Sequence, residues 1–247
     1  MTSIKKHNLT FLIDKTTNKH TWWVKTFSTW EDETFVVFDK ILDKNKNFID
    51  LGAWIGTTAL YASLLSNHVY AVEPDPVSLL DLQKNVNINE SKNVTIVPKA
   101  MLNCKSTICF GPSGKSAWNA STSKIKIKSN NKLDINITTI TFQELIDMHS
   151  INNISLIKVD VEGAEEKIIS DIFDYINKSE IKPSIYLSFH YDWWKNKNLN
   201  EYSHYWKSYN YLYYKLKLVS PDSITDIISN DPFGSILFTN IAQDFGK

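Results

Sequence analysis

The sequence predicts an α/β fold in which helices flank a mostly parallel central sheet. Three apolar runs end in an acid, at Asp50, Glu73 and Asp160, and a turn with glycine or proline and then a helical pattern follow each one. Repeated strand–turn–helix units are typical of a doubly wound sheet, whose parallel strands end at one common edge. We therefore expect the three acids to lie at the carboxyl edge of the sheet.

The length and charge of the chain limit its organisation and partners. With 247 residues, it is predicted to form one domain overall, a main domain over 47–247 preceded by a prefix over 1–46. The 27 acidic residues balance 27 basic residues, all of them lysine. Zero net charge argues against nucleic-acid or membrane binding by bulk electrostatics. Without arginine, anionic ligands must be bound by lysine, backbone amides or helix N-termini.

Cysteine content and hydropathy indicate a cytoplasmic protein, of the cell or of a host cell. Cys104 and Cys109 are the two cysteines, and no Cys/His cluster has the spacing of a zinc site. No apolar segment resembles a signal peptide or approaches the roughly 20 residues of a membrane helix. No membrane partner is expected.

The prefix contains a candidate lid. Ser28 or Thr29 could cap a helix whose first turn carries Glu31 and further acids, which suit the positive end of a helix. Trp30 and Glu31 could then cover a ligand, or they could belong to a surface helix with a buried tryptophan.

The first core strand and its turn have a pattern suited to ligand binding. The run 47–51 contains Asp50, and Gly52 and Gly56 follow in a G-x-x-x-G spacing before a helix predicted over 57–66. Glycines here let the backbone approach a ligand, because a Cβ would block the turn or the contact. The pattern predicts an adenosine-containing ligand at the carboxyl end of this strand.

The second strand is predicted over 69–73 and ends in Glu73, and a helix over 77–89 starts after Pro76. A carboxylate at this position can accept hydrogen bonds from both hydroxyls of a ribose. Either motif is weak alone, but the two together indicate a nucleoside-binding site.

A third strand is predicted over 94–97, and the sequence changes character over 99–140. Alternating polar and apolar residues between turn sequences predict antiparallel hairpins inserted before the fourth core strand. Lys124, Lys126 and Lys128 fall on one strand face. They could contact a phosphorylated substrate, although a solvated strand edge explains them more simply.

The fourth core strand carries the most distinctive sequence. A capping box at Thr141 and Glu144 predicts a short helix before it. The strand over 154–160 ends in Asp160, and Glu162, a glycine and a glutamate-rich helix start follow.

A fifth strand, over 183–190, brings His190 to the same edge of the sheet. Closing strands over 215–219 and 236–240 complete the sheet. Between the fifth strand and the first closing strand, residues 191–214 are rich in aromatic side chains.

Four sequence blocks together resemble the FkbM family of S-adenosylmethionine-dependent methyltransferases. The blocks are 48–53 (FIDLGA), 71–76 (AVEPDP), 85–89 (NVNIN) and 156–165 (LIKVDVEGAE). The match runs from about Trp30 to His190, and it departs at Trp54, where many relatives have asparagine. The resemblance implies a Rossmann-like class I methyltransferase fold, to which the alternating pattern over 99–140 adds an inserted β-hairpin region. It also implies S-adenosyl-L-methionine as cofactor, S-adenosylhomocysteine as product and usually O-methylation of sugars or other natural-product hydroxyls.

The strand-end residues suit this cofactor. The predicted cofactor-binding residues are Asp50, Gly52, Ala53, Trp54, Gly56, Glu73, Asp75, Ala100, Met101 and Asp160. Glu73 would hold the ribose diol, Asp50 would order the loop or meet the amino group, and the glycine turn would pass the methionine moiety. Asp75, Ala100 and Met101 would flank the adenine. An edge lined by acids also suits a positively charged sulfonium.

Two residues are candidates for the base that a hydroxyl acceptor needs. An unperturbed His190, with a pKa of about 6.5, could accept a proton at neutral pH. Asp160 could be the base itself, or it could orient the acceptor and His190. His190 could also have only a structural role. Asp160 and Glu162 could instead hold a divalent metal, but we predict no resident metal.

The predicted acceptor is a small molecule, a saccharide or a nucleotide sugar. The predicted substrate-binding residues are Trp30, Glu31, Glu162, Trp193 and Trp194. Aromatic rings of the C-terminal third could stack on a sugar, although core packing explains most of them equally well. The sequence gives no indication of an oligomeric state.

Three other functions are compatible with parts of the sequence. A catalytically silent nucleoside-binding or scaffold protein would keep the fold without turnover. A dinucleotide-dependent oxidoreductase is disfavoured, because the turn is not G-x-G-x-x-G. An RNA methyltransferase is disfavoured by the zero net charge and the absence of arginine.

Overall fold

The computed structural model describes residues 1–14, 24–111, 124–126, 132, 134–190, 194, 198–231 and 234–245. Within these ranges the chain forms three β-sheets of eight, four and two strands, together with helices. Lys128 and most of the predicted hairpin turns of the insertion lie outside the described residues.

The elements are numbered in chain order. The strands are β1 (Thr2–Lys6), β2 (Leu9–Ile13), β3 (Asn47–Leu51), β4 (His68–Val72), β5 (Val94–Val97), β6 (Ala100–Met101), β7 (Thr107–Gly111), β8 (Lys124–Lys126), β9 (Ile135–Ile140), β10 (Ile154–Val159), β11 (Ser184–Ser188), β12 (Tyr211–Tyr214), β13 (Lys217–Val219) and β14 (Ser235–Thr239). The helices are α1 (Asp32–Ile41), α2 (Thr57–Ser63), α3 (Pro76–Ile88), α4 (Phe142–His149), α5 (Glu165–Lys178), α6 (Ser203–Trp206) and α7 (Ile224–Asn230). Short 3₁₀ helices lie at Leu199–Tyr202 and Pro221–Ser223.

The central sheet has the strand order β13-β12-β14-β11-β10-β3-β4-β5. Its five strands from β11 to β5 are parallel, and the three others are antiparallel to their neighbours. The chain moves outward from β3 in one direction and from β10 in the other, so these two neighbours form a topological switch point. Ligands of open α/β sheets bind at the carboxyl ends of the strands beside such a point.

This architecture confirms the predicted α/β fold, with a mostly parallel sheet and an inserted region. The insertion forms a separate sheet in the order β6-β9-β7-β8, in which β7 pairs antiparallel with both β8 and β9. Among the described residues, no helix is both long and apolar enough to cross a membrane.

The core lies on both faces of the central sheet, and strand β3 contributes to each face. Ile49 and Leu51 pack in one cluster with side chains of α4 and α5. Phe48 packs on the other face with side chains of α1, α2 and α3. Asp50 is on that second face by the alternation of the strand, and it is fully buried. A buried carboxylate in a core strand requires polar partners.

The prefix starts with a β1–β2 hairpin that the sequence analysis did not predict. Asn85 of α3 and Asn89, which directly follows this helix, hold the edge of the hairpin: the backbone N–H of Leu12 donates to Asn89 Oδ1, and that of Asp14 donates to Asn85 Oδ1. Asn89 Nδ2 donates in return to the Leu12 carbonyl, and Asn85 Nδ2 donates to the carbonyl of Ile55. Two residues of the 85–89 block therefore join the hairpin to the turn after β3.

The helix predicted to be capped by Ser28 or Thr29 starts later than expected. Helix α1 begins at Asp32, after Glu31 in a left-handed conformation with φ 44°. The acids Asp32 and Glu33 do lie in its first turn, where they favour the positive helix end.

A buried lysine explains this late start. Lys6, only 1% exposed, donates from Nζ to the carbonyls of Phe27, Ser28 and Trp30 at 3.1 to 3.3 Å and pairs with Asp32 at 2.8 Å. These carbonyls turn toward the ammonium group instead of starting a helix. Because a buried ammonium needs all of its partners, Lys6 fixes the segment that carries the candidate lid.

We expect Gly52→Ala to destabilise the protein more than Gly56→Ala. Both residues have positive φ (85° and 92°), which costs a residue with a Cβ about 1 to 2 kcal/mol. A Cβ on Gly56 would meet only the flexible end of Leu82, whereas one on Gly52 would overlap the backbone carbonyl of Asp160. Urea unfolding should therefore show at least about twice the loss for Gly52→Ala. Equal losses would contradict the close packing of this turn on the end of β10.

Candidate functional site

A cavity of about 780 Å³ opens at the carboxyl edge of the central sheet, beside the β3–β10 switch point. Its volume is typical of pockets for small ligands. The ends of β3, β4, β10 and β11 line it, together with the segment before α1, parts of the insertion and the start of β14. The parallel strands thus bring distant parts of the sequence to one edge.

The turn after β3 and the end of β4 form one half of this cavity. Gly52, Ala53 and Trp54 line it, and the Trp54 N–H donates to Glu73 Oε2 at 2.8 Å. The Asp75 N–H donates to the other oxygen, Oε1, at 2.8 Å. Burial raises the pKa of Glu73 to about 8, although these two amides oppose the shift. The carboxylate is held by both oxygens, each of which can accept a further hydrogen bond.

Asp75 has a structural role besides lining the cavity. Its Oδ1 caps α3 by accepting hydrogen bonds from the N–H groups of Val77 and Ser78. Ala100 and Met101 of β6 line the same part of the cavity. A planar group attached to a ligand that is bound at Glu73 could contact these residues.

A row of polar side chains crosses the sheet on the face of α1 and α2. Asp50 of β3, Lys158 of β10 and Tyr186 of β11 are paired in register. Lys158 Nζ lies 3.6 Å from Asp50 Oδ1 and 3.1 Å from Asp160 Oδ2. Thr58 donates from Oγ1 to Asp50 Oδ2 at 2.7 Å. Asp50 is not among the residues that line the cavity, and its link to the lining is the contact with Lys158. This position suits the predicted role of ordering the loop better than a direct contact with the amino group of the cofactor.

Lys158 remains a cation in this row. Burial lowers its pKa, but Asp160 and Asp50 oppose this effect more strongly, and the net shift is upward. Burial raises the pKa of Asp50, whereas for Asp160 the charges of Lys158 and His190 outweigh burial and lower the pKa. One ammonium group therefore neutralises the ends of two strands.

His190 is oriented by a buried carboxylate from α5. Its Nδ1 lies 2.7 Å from Glu165 Oε1, and this oxygen also accepts hydrogen bonds from the N–H groups of Val161 and Gly163. Since an acceptor-only carboxylate needs a donor, Nδ1 carries the hydrogen. Nε2 is then the atom that faces the other acids of the cavity.

Those other acids are Asp160 and Glu162. His190 Nε2 lies 3.7 Å from Asp160 Oδ1 and 3.6 Å from Glu162 Oε2, and the three residues together offer a possible set of metal ligands. Burial lowers the pKa of His190, but the opposing effect of Glu165, Asp160 and Glu162 is larger, and the pKa is raised to about 9. His190 thus differs from the unperturbed imidazole assumed from the sequence, because it holds a proton at neutral pH.

The segment before α1 reaches the opposite side of the cavity. Trp30 and Glu31 both line it. Although Glu31 is exposed to the cavity, the protein atoms that crowd its carboxyl group, and then the charge of Asp160, raise the pKa of Glu31 to about 7. Thr34 Oγ1 lies 3.4 Å from both Glu31 Oε2 and the hydroxyl of Tyr186. The candidate lid is therefore connected to the polar row.

Other predicted residues lie elsewhere. Trp194 is 1% exposed, packs against Phe189 and Tyr202 at centroid distances of 5.3 and 5.4 Å, and does not line the cavity. Its position in the core corrects the expectation that it contacts substrate. Gly56 precedes α2 and faces α3, also outside the lining. Trp193 lies outside the described residues.

Sequence reasoning missed several residues of the site, of which Lys158, Glu165 and Tyr186 matter most. Lys158 had a signal, because a lone lysine within an apolar strand must find a buried partner. Glu165 was interpreted only as part of a helix start. Tyr186 gave no signal, since tyrosine is common in strands.

The chain matches one family model and resembles known proteins. The model described as Methyltransferase FkbM domain matches residues 50–213. The uncharacterized RNA methyltransferase SACOL1957 of Staphylococcus aureus (strain COL) is 41% identical over 56 residues, which are 23% of this chain and only 12% of that protein.

Two solved structures are among those that the chain matches. The methyltransferase FkbM from Methylobacillus flagellatus KT has a TM-score of 0.50 at 16% identity, covering 80% of this chain and 44% of that chain. The Streptococcus mutans protein SMU.1697c, in complex with SAH, has a TM-score of 0.49 at 14% identity and covers 83% and 94%. The likeness to the first structure confirms the predicted fold class and concerns the fold alone.

We expect Lys158→Met to lower the free energy of unfolding by about 3 to 5 kcal/mol, because it leaves the fully buried Asp50 and the partly exposed Asp160 without their cation. The double variant Lys158→Met/Asp50→Asn should recover part of this loss, since it also removes one of the buried charges. Urea unfolding at neutral pH measures both effects. The exposed Lys44→Met is the control and should change stability by less than about 0.5 kcal/mol. A small loss in Lys158→Met, or no recovery in the double variant, would contradict the neutralising role.

Proposed function

The chain belongs to the FkbM methyltransferase family, and we propose that it transfers the methyl group of S-adenosyl-L-methionine to a hydroxyl group of a small molecule. The proposed acceptor is a saccharide or a nucleotide sugar. In this reaction the bond from sulfur to methyl breaks and an oxygen–methyl bond forms. The hydroxyl loses its proton, and S-adenosylhomocysteine is the second product.

The observation that best supports this proposal is the arrangement around Glu73. Two backbone N–H groups hold its carboxylate at the cavity wall, and each oxygen keeps a free lone pair for one hydroxyl of a ribose. Beside it, the backbone at Gly52 comes so close to the end of β10 that a Cβ would not fit. These features fit a nucleoside with an attached amino-acid chain. The bound cofactor would supply an electrophilic methyl group on a sulfonium.

The other side of the cavity offers groups that suit an acceptor rich in hydroxyls. Asp160, Glu162 and Glu31 are hydrogen-bond acceptors there, and Trp30 provides an aromatic surface. Carboxylates bind sugar hydroxyls well, while an aromatic ring packs on the apolar face of a sugar. The division of the cavity into two halves supports one site for the nucleoside and an adjoining site for the acceptor.

We propose that Asp160 and His190 position the acceptor hydroxyl for in-line attack. Asp160 Oδ2 is engaged by Lys158, whereas Oδ1 faces His190 Nε2 across 3.7 Å. A hydroxyl that lies beside these two atoms, within hydrogen-bond distance of each, could donate its hydrogen to Asp160 and be oriented by His190. Holding the reacting oxygen in this way supplies much of the rate of a displacement reaction. Because His190 already holds its proton, the hydroxyl proton would pass to the ionised Asp160 and from there to solvent.

RNA is a second candidate acceptor, on the strength of one observation. The 56-residue likeness to the Staphylococcus aureus protein, whose name describes an RNA methyltransferase, favours it. Against it, the chain has zero net charge and no arginine. The acids at the mouth of the cavity would also repel a phosphodiester backbone. We therefore place the saccharide acceptor first.

Calorimetry with S-adenosylhomocysteine tests the nucleoside half of the site. We expect Glu73→Ala to weaken binding by about thirtyfold, equal to about 2 kcal/mol, because it removes the side chain that would form hydrogen bonds with two hydroxyls. The exposed acid Asp147, outside the cavity, provides the matched control Asp147→Ala, which should bind like the unchanged protein. Undiminished binding by Glu73→Ala would refute the cofactor position.

A methyl-transfer assay with labelled S-adenosyl-L-methionine tests the acceptor class. Monosaccharides, nucleotide sugars and short RNAs are offered separately to the protein and to Asp160→Asn. We expect label in a saccharide or nucleotide sugar, and at least about a hundredfold less with Asp160→Asn. Label in RNA alone would favour the second candidate. Cofactor binding without transfer to any acceptor would indicate a catalytically silent protein.

A further inference from the structure

We propose that Asp160, Glu162 and His190 form a binding site for a divalent cation of the Mg²⁺ or Mn²⁺ class. Each residue offers one ligand atom to the cavity, and the three atoms all lie within 4.8 Å of one another. The sequence analysis considered the two acids as a metal pair and predicted no metal. The structure adds the imidazole as a third ligand, from a different strand.

The distances between the ligand atoms support a shared cation. His190 Nε2 is 3.7 Å from Asp160 Oδ1 and 3.6 Å from Glu162 Oε2. These separations are too long for good hydrogen bonds between the side chains. Two ligands of one octahedral cation, with bonds of about 2.1 Å, lie about 3.0 Å apart when adjacent and about 4.2 Å apart when opposite. The observed gaps fall between these limits.

The surroundings of His190 are also those of a metal ligand. Metal-binding histidines usually donate their second ring N–H to a carboxylate, which fixes the tautomer and the direction of the free nitrogen. His190 has this partner in the fully buried Glu165, at 2.7 Å from Nδ1. The N–H groups of Val161 and Gly163 hold the same oxygen of Glu165. The imidazole is thus fixed before any ligand arrives.

The charges at this corner leave room for a cation. Asp50, Asp160, Glu162 and Glu165 contribute four carboxyl groups, which face two cations among the described residues, Lys158 and the protonated His190. A metal ion would displace the proton on His190 Nε2 and take over its place between Asp160 and Glu162. Lys158 contacts Oδ2 of Asp160, so Oδ1 remains on the side of the proposed metal. A divalent cation would balance the remaining acids and would be the largest local charge in the site.

The ligand set and its exposure indicate the class of metal. Two carboxylates and one imidazole suit Mn²⁺ and Mg²⁺. Cysteine thiolates would attract softer metals, but neither cysteine belongs to the cluster. The three side chains are partly exposed to the cavity, by 25% for Asp160, 28% for Glu162 and 12% for His190. The remaining coordination positions are therefore open to water or to hydroxyl groups. Binding of two acceptor hydroxyls by the cation is a role that rests on the proposed function, whereas the cation site does not.

Direct binding of Mn²⁺, without methyl donor or acceptor, tests the site. The protein is stripped with chelator and titrated with Mn²⁺ by calorimetry, with electron paramagnetic resonance as a second readout. We expect one bound Mn²⁺ per chain, displaced by excess Mg²⁺. Glu162→Gln and His190→Gln should each weaken binding at least about tenfold, whereas the control Asp147→Asn should bind like the unchanged protein.

Three results would overturn the proposal: no stoichiometric binding, equal affinity in Glu162→Gln and His190→Gln, or equal weakening by Asp147→Asn. Circular dichroism and binding of S-adenosylhomocysteine show whether each variant is folded. If one of the two ligand variants does not fold, the other decides. Mn²⁺ binding without any methyl transfer would support the metal site and contradict the proposed function. Methyl transfer by a protein that binds no Mn²⁺ would do the reverse.

Discussion

The carboxyl edge of this sheet depends on the ammonium group of Lys158. The register of β3 and β10 sets Lys158 directly beside Asp50, and Asp160 follows two residues later, at the end of β10. Lys158 and Asp50 are buried away from water, whereas Asp160 is partly exposed to the cavity. Burying an ion pair is expensive, and it succeeds only when every charge finds partners. Thr58, on the first turn of α2, completes this set by donating to Asp50.

Two halves of the site follow from this arrangement. On one side, the turn after β3 passes close to the end of β10 and carries the N–H of Trp54 to Glu73. On the other side, Asp160 turns its second oxygen toward His190. A second buried ammonium, on Lys6, holds the segment with Trp30 at the wall of the cavity. In a chain without arginine, two lysines with three donors each have organised the strand ends and the cover of the cavity.

The sequence predicted the fold and the edge of the sheet well, because strand periodicity and strand-end acids are local signals. It could not predict which atoms meet across strands. The pairing of Lys158 with Asp50 depends on register between β3 and β10, which no local pattern encodes. The charge state of His190 depends on Glu165, from a helix 25 residues earlier in the chain. Trp194 was predicted to bind substrate because it lies in an aromatic-rich segment, but its side chain packs in the core.

The surplus of acids at this edge also constrains how an acceptor can enter. A cationic methyl donor and a divalent cation would both be favoured by carboxylates at Glu31, Asp160 and Glu162, whereas phosphate groups would be repelled there. A nucleotide-sugar acceptor would therefore have to insert its sugar first and keep its phosphates at the rim. Lys167 and Lys215 line the outer part of the same cavity and could receive them. An acceptor with phosphates on both sides of the reacting hydroxyl, as in an RNA chain, has no such orientation.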